Sequence, residues 1–224
     1  MTRRIPNYTN RTPEQIITQD VHFDSVGYVY RALSWLDITK KSSNNCALGY
    51  AAYETRQAIE CILFEAVILS VGTKLSRDEY QKCKGSSTKL HKIVNRLNPD
   101  YEKMVQFTRA VMLTDPEAPL ILAWDHKRLL RYWGEMSKYL HWAGEPKETS
   151  ESPEWLEAGV VAVGNAAEYI WGNKTNGYSG IMMPDKMEAD IHSLWERFRN
   201  GEIDLETVTR GASRTSTTKE KSAG

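Results

Sequence analysis

This sequence lacks a long apolar run, and the absence removes two classes of protein. Its most apolar segment, Ile62 to Val71, is too short to span a bilayer and carries Glu65. No apolar run follows Arg3 and Arg4 near the start, so we expect no secretory signal. The sequence therefore predicts a cytoplasmic protein that does not engage a membrane.

Net charge and paired cysteines are also missing. Lysine and arginine together number 29, as do aspartate and glutamate, so no overall field would draw the molecule to a phosphate backbone. Any site for nucleic acid must then be a local patch. The three cysteines, Cys46, Cys61 and Cys83, form no C-x-x-C pair. Reduced thiols are the plain interpretation.

The usual catalytic and cofactor motifs are absent as well. No His-x-x-x-His or Glu-x-x-His spacing occurs, which removes the common helical metal sites. Neither a glycine-rich phosphate loop after a strand nor a G-x-S-x-G nucleophile motif is present. We therefore expect neither a metal nor a cofactor.

The most informative segment that is present runs from Cys46 to Gly72. Its apolar residues recur at steps of three and four, the period that lines one face of an α-helix. The stripe consists of Leu48, Ala51, Thr55, Ile59, Ile62, Ala66 and Leu69. Beyond Glu60 the opposite side turns apolar too, and a helix that is apolar on most of its circumference lies inside a bundle. We predict that this is the central helix.

Helical periodicity elsewhere and sparse strand signals predict an all-α bundle of about five principal helices with smaller connecting helices. We expect an irregular N-terminal arm over 1–20, a single helical-bundle domain over 21–210 and a disordered tail over 211–224. Two segments stay open. Leu120 to Trp124 fits an extended piece or a helical turn, and Gly172 to Pro184 fits a small hairpin or an ordered loop.

The end of the helix from Arg128 to His141 carries the first candidate chemistry. His141 lies one turn beyond Ser137, at the edge of the apolar stripe. It could act as a general acid or base with a pKa near neutrality. Alternatively, it is a boundary histidine whose ring packs while one nitrogen finds a backbone or water partner. Trp142, beside it, is the tryptophan that we expect to line a groove or a partner surface.

Two Arg/Glu pairs are the other candidates. Arg131 and Glu135 are four residues apart, and a solvated ion pair along the helix is the ordinary interpretation. Arg56 and Glu60 have the same separation on the central helix, where buried charge needs a partner or a purpose. They are either such a pair or polar groups that point at a groove between helices.

Three segments together resemble the HEPN superfamily of helical-bundle proteins, many of them in prokaryotic defence and toxin systems. They are the helix Ala51-Ala52-Tyr53-Glu54-Thr55-Arg56-Gln57-Ala58-Ile59-Glu60, the segment Lys89-Leu90-His91-Lys92-Ile93-Val94, and the late helix ending in His141. The resemblance spans roughly residues 24 to 172. It implies a helical bundle, dimerisation, and a link to RNA or defence.

Catalytic members of that family carry an arginine followed four to six residues later by a histidine, and they cleave RNA at a site shared across a dimer. Here Arg131 precedes His141 by ten positions, about 15 Å of helix rise. One helix cannot easily place both on the same phosphate. Either two chains assemble the catalytic pair or this is a non-catalytic member.

We therefore expect an HEPN-like helical interaction module that works through protein association, as a homo-dimer or with a companion protein. It would bind RNA or nucleotide in a groove near Arg56, Glu60, Arg131 and His141. The candidate ligand-binding residues are Arg56, Glu60, Glu135, Ser137 and Trp142. A second hypothesis is a metal-independent ribonuclease in which His141 acts as acid or base and Arg131 stabilises phosphate charge. A third is a structural subunit of a larger assembly, whose Trp-rich surface is covered only in the complex.

Overall fold

The structure is a computed structural model. It describes residues 6–18, 24–71, 99–115, 121–140, 152–176, 178–179 and 181–222, together with residues 78, 89, 92–93 and 95–96. The segment Lys89 to Val94 lies partly outside these residues, and the candidates His141 and Trp142 lie wholly outside them.

Within the described residues the chain forms eight α-helices and one pair of two-residue strands. They are α1 Pro13–Thr18, α2 Ser25–Ser42, α3 Asn45–Val71, α4 Tyr101–Met112, β1 Ile121–Leu122, α5 His126–Leu140, α6 Pro153–Thr175, β2 Tyr178–Ser179, α7 Ala189–Arg199 and α8 Leu205–Ser222, with a short 3₁₀ helix at Pro184–Lys186. The predicted all-α helical fold is confirmed.

Local sequence signals fix where three of the long helices begin. The carboxylate of Asp24 accepts a hydrogen bond from the amide of Gly27 at the start of α2, and Asp125 does the same for Arg128 at the start of α5. The Ser152 hydroxyl accepts from the amide of Trp155 in α6. Each side chain satisfies an amide that the helix itself leaves unpaired.

The chain divides into two compact units, whereas the sequence predicted one domain. Unit 1 comprises Met1–Leu97 and Asp125–Thr175, and unit 2 comprises Asn98–Trp124 and Asn176–Gly224. Each unit has its own buried apolar cluster, as packed layers of helices require.

Unit 1 is an up-down-up-down bundle of α2, α3, α5 and α6. Antiparallel neighbours meet in reversed sequence order, and the observed pairs follow this rule. Between α2 and α3, Trp35 contacts Tyr50 and Arg31 bonds to Glu54. Between α3 and α5, Arg56 bonds to Ser137 and Glu60 bonds to Trp133. Between α2 and α6, Tyr30 stacks on Trp171. Helix α3 packs against all three other helices of the bundle, α2, α5 and α6.

Helix α3 is the central element of unit 1, as predicted. Leu48, Ala51, Thr55, Ile59 and Ile62 are all essentially inaccessible to solvent. Apolar contact along this stripe supplies the hydrophobic free energy of the bundle. The Thr55 hydroxyl donates to the carbonyl of Ala51, so burying it leaves no donor unsatisfied.

The N-terminal arm is docked on α2 and contains a short helix where the sequence predicted irregular structure. Ile16 of α1 is fully buried. The Arg11 guanidinium donates to the Ser34 hydroxyl and stacks 4.4 Å from the centre of the Tyr30 ring. The Tyr30 hydroxyl in turn donates to the carbonyl of Asn7. One buried apolar anchor and one buried cation thus fasten the arm.

Unit 2 packs α4, α7 and α8 around an aromatic core. Phe107 and Trp195 meet edge to face with ring centres 5.4 Å apart, and Val208 of α8 is fully buried. The segment left open at Leu120 to Trp124 includes β1, which pairs in parallel with β2. For Gly172 to Pro184, where a small hairpin and an ordered loop were both open, α6 continues to Thr175 and Tyr178 pairs with Ile121 rather than with a strand of the same segment.

The C-terminal segment also differs from the expectation. Helix α8 runs through Ser222, whereas the sequence predicted a disordered tail from residue 211. Its first turns are anchored by Val208 and Ala212, which are buried in the core of unit 2. Alanine is small enough to fill that position, so the absence of large apolar residues after Gly211 did not signal the end of packing.

Candidate functional site

Arg56, Glu60 and Ser137, three of the predicted site residues, meet between α3 and α5. The Arg56 guanidinium forms an ion pair with Glu60 at 3.3 Å and donates to the Ser137 hydroxyl at 3.4 Å. Trp133, which was not among the predicted site residues, completes the cluster. Its indole N–H donates to Glu60 at 2.9 Å, and the Arg56 guanidinium lies 4.2 Å from its ring centre.

The charged groups of this cluster are bonded to each other. The Arg56 and Glu60 side chains are about one fifth exposed, and each neutralises the other. The face of Trp133 attracts the cation, which adds to the ion pair. Such a group of contacts connects α3 to α5, and it leaves neither a free acid nor a free base for proton transfer.

Arg131 and Glu135 lie on other faces of α5. Because each helical residue turns the chain by about 100°, Arg131 lies on the side of the helix nearly opposite Trp133. Arg131 is exposed, whereas Glu135 borders a groove of ≈ 590 Å³ between α5 and α6 with Lys138, Glu154 and Glu157. The structure therefore does not bring Arg131 to Arg56, and His141 lies outside the described residues.

The exposed face of α5 is basic. Lys127, Arg128, Arg131 and Lys138 are all exposed, and none of them forms an ion pair with another residue of the described ranges. Glu135 lies among them, and Glu154 and Glu157 of α6 border the groove beside Lys138, so the positive charge is concentrated at Lys127, Arg128 and Arg131. We call these four side chains the basic face.

Two tyrosines orient the start of the basic face. The Arg128 guanidinium lies 4.2 Å from the centre of the Tyr169 ring, and its Nε donates to the Tyr132 hydroxyl at 2.9 Å. This hydrogen bond raises the pKa of Arg128 above its usual range. Arg131 lies 5.5 Å from the Tyr132 ring centre. The guanidinium of Arg128 is therefore held close to two aromatic rings.

A second concave feature of unit 1 was not predicted. A cleft of ≈ 1150 Å³ lies among α1, α2, α3 and the end of α5. We call it the tyrosine cleft, after four of its lining residues, Tyr28, Tyr50, Tyr53 and Tyr139. Its floor contains Arg31 and Glu54, which are joined by two parallel hydrogen bonds of 3.0 Å.

The sequence did contain a signal for this cleft. Tyr28, Arg31 and Trp35 recur at steps of three and four on α2, and Tyr50 and Tyr53 are three residues apart on α3. Both sets lie beside the buried stripe of their helix. An aromatic stripe of this kind is usually core, so only the distance between the helices shows that these rings border a cleft.

A metal site and a membrane-spanning helix each have their own structural requirements. Within the described ranges no three histidine, cysteine, aspartate or glutamate side chains are grouped so as to hold a metal ion. Across the same residues, none of the helices has both the length and the apolar character that crossing a bilayer requires.

Comparison with known proteins gives no match: no family model, curated protein or solved structure is similar to the chain. The functional argument therefore depends on the chemistry of the basic face, the Arg56 cluster and the tyrosine cleft.

Proposed function

We propose that the protein is an HEPN-like helical interaction module that binds RNA along the basic face of α5. The observation that carries the proposal is the set of four exposed cations, Lys127, Arg128, Arg131 and Lys138, which form no ion pair within the described ranges. A chain with no net charge has no overall attraction for RNA. A local surplus of this kind is what such a chain requires.

The spacing of the cations suits a phosphate backbone. Lys127, Arg131 and Lys138 are four and seven residues apart, so they line one side of α5 over about 16 Å. Each phosphate neutralised by such a residue releases condensed counterions, which is the main source of affinity for a nucleic acid. Arg128 adds a flat guanidinium on which an unstacked base can lie.

The proposal includes protein association. In agreement with the resemblance, we propose that the chain works as a homo-dimer or with a companion protein, in the cytoplasm, as part of a prokaryotic defence or toxin-related system. A monodisperse monomer that binds neither RNA nor a companion protein would contradict the proposal. Sedimentation velocity of the purified chain, with and without RNA, measures both properties.

A charge reversal tests the RNA surface. We expect Arg131→Glu to weaken binding of a fluorescently labelled single-stranded RNA at least tenfold in an anisotropy titration, because it replaces one phosphate contact with a repulsion. The salt dependence should also become less steep by about one unit of log K against log [salt]. The matched control is Lys40→Glu, which reverses an exposed cation at the end of α2. Equal loss in both variants would show that the effect is not local.

Ribonuclease activity is the alternative, and the same RNA tests it. If Arg131 and His141 form a catalytic pair, the wild-type protein cleaves the labelled RNA and the His141→Ala variant does not. Intact RNA in both samples removes the enzyme hypothesis and leaves the binding proposal standing. The Arg56 cluster does not favour the enzyme, because its acid and base are already bonded to each other.

A further inference from the structure

The tyrosine cleft has the size and lining of a small-molecule site. Its volume of ≈ 1150 Å³ is slightly larger than the range of about 300–1,000 Å³ that is typical of sites for drug-sized ligands. Ile16, Ile17 and Leu140 supply aliphatic surface, and Trp35 joins the four tyrosines. Such sites are lined mainly by apolar and aromatic groups with few polar ones.

Two aromatic rings that line the cleft are half exposed. Tyr50 is 56% exposed and Tyr53 is 50% exposed, although both lie on the central helix. Trp35 packs against Tyr50 with ring centres 5.0 Å apart and an angle of 35° between the planes, which holds the Tyr50 ring in place. Large rings that are half exposed and held by a neighbour offer stacking surface at little further cost in conformational entropy.

The charge in the cleft is balanced. Arg31 and Glu54 are the charged residues in its described lining. Their side chains are only 10% and 15% exposed, and both nitrogen-to-oxygen distances are 3.0 Å. A charged ligand would be desolvated here without a counter-charge, which is unfavourable. An uncharged ligand avoids that penalty.

We propose that the tyrosine cleft binds an uncharged, planar, aromatic small molecule that has polar groups at its edge and stacks on Tyr50 and Tyr53. The tyrosine hydroxyls can donate to or accept from the ligand edge. The volume accommodates a system of two or three fused rings. This site is separate from the basic face, and we expect its ligand to carry no phosphate.

Two matched pairs of probes test the charge argument. Riboflavin and adenosine are neutral and planar, and FMN and AMP carry the same rings with an added phosphate. We expect saturable binding of riboflavin, measured by quenching of flavin fluorescence, and of adenosine, measured by saturation-transfer NMR. Each phosphorylated partner should bind at least tenfold more weakly. Absence of binding by both neutral probes, or equal binding of the phosphorylated ones, overturns the proposal.

Ring truncation tests the stacking surface. We expect Tyr50→Ala and Tyr53→Ala each to weaken riboflavin binding about tenfold, as is typical when one stacking platform is lost. Val161→Ala is the control, because Val161 is 57% exposed on α6 and does not line the cleft. Unchanged affinity in both tyrosine variants overturns the proposal. All three residues are largely exposed, so these variants should fold.

A change of charge on the floor should reverse the preference. Glu54→Gln leaves the Arg31 cation without its carboxylate, so FMN should gain affinity relative to riboflavin by about tenfold or more. Circular dichroism shows whether this variant folds; if it does not, the probe comparison and the tyrosine variants decide by themselves. A folded variant that keeps the wild-type preference for riboflavin contradicts the assigned role of the ion pair.

Discussion

Cys61 of α3 has an environment that suppresses its reactivity. Burial, followed by the nearby carboxylate of Glu65, raises the pKa of Cys61 from 9.0 to about 11. Asp24 and Glu60 act in the same direction. The thiolate is the reactive form of cysteine, so this thiol is largely inert near neutral pH. Cys46, by contrast, is exposed.

We expect iodoacetamide at pH 8 to modify Cys46 well before Cys61, because Cys61 is both less accessible and almost wholly protonated. Peptide mass spectrometry over a time course measures the two rates. The rate at Cys61 should rise steadily as the pH approaches 11, and Glu65→Gln should increase it at pH 8. Modification of Cys61 as fast as Cys46 would contradict the assigned pKa.

The same thiol has an effect on stability. Its pKa in the folded state exceeds the ordinary value, so between about pH 9 and pH 11 the folded protein retains a proton that the unfolded chain has released. Linkage then requires the contribution of Cys61 to the free energy of unfolding to fall as the pH rises through this window. Below pH 9 the thiol is protonated in both states, and the contribution is complete.

At the residue scale, the sequence predicted which side chains bond to each other better than it predicted which side of the helix they occupy. The i, i+4 spacing of Arg56 and Glu60 predicted their ion pair, and the pair does lie between two helices. Trp133 was missed as their third partner because spacing alone marks an aromatic residue as core. The chemistry assigned to Arg131 and His141 stays a prediction.

At the scale of elements, Gly159 of α6 lies in a tight contact within unit 1. A Cβ added there would lie 2.5 Å from Cδ2 of Leu48 and 2.9 Å from Cε1 of Tyr139. Leu48 is fully buried, so a shift of its side chain would disturb the packing around it. Gly134 on the exposed face of α5 has nothing within 4 Å of the same position. The two glycines form a matched pair in long helices.

We expect Gly159→Ala to lower the free energy of unfolding by about 1–2 kcal/mol, because overpacking exceeds the gain in helix propensity. Gly134→Ala should raise it by roughly 0.5–1 kcal/mol, because only the propensity and the entropy of the unfolded chain change. Urea denaturation followed by circular dichroism measures both. Stabilisation by both substitutions would show that α3, α5 and α6 do not pack as closely as described.

Helices were easier to predict than their connections. Capping is a local interaction between a side chain and the amide three residues later, so the sequence itself marks the start of a helix. The capping residues here are Asp24, Asp125 and Ser152. The β1–β2 pair joins Ile121 to Tyr178 across more than fifty residues, and no local pattern encodes that. The tyrosine stripes of α2 and α3 could not by themselves predict the tyrosine cleft for the same reason, since its walls come from four separate segments.

At the scale of the whole molecule, two separate cores divide the chain. Ile59 is fully buried in unit 1, and Phe107 is fully buried in unit 2. Each core consists of residues from distant parts of the sequence, because the chain leaves unit 1 after Leu97 and returns at Asp125. The apolar stripe of one helix does not show to which of the two cores that helix belongs.

Truncation of one core should therefore affect one unit. We expect Phe107→Ala, with a loss of about 3–5 kcal/mol in unit 2, to speed hydrogen exchange in α4, α7 and α8 and to leave exchange in α2 and α3 nearly unchanged. Ile59→Ala, with a loss of about 2–5 kcal/mol, should give the reverse pattern. Exchange that accelerates uniformly in either variant would show that the molecule unfolds as one cooperative body.

The turn between α2 and α3 has a consequence for how this protein tolerates changes in length. Only Ser43 and Asn44 separate the two helices, and Ser43 adopts the left-handed conformation that reverses the chain. One inserted residue at the start of α3 would rotate the rest of that helix by about 100°. Leu48 would then leave the core while Tyr50 and Tyr53 turned away from the cleft. Homologous chains that keep both features should therefore keep the length of this turn, even where its residues vary.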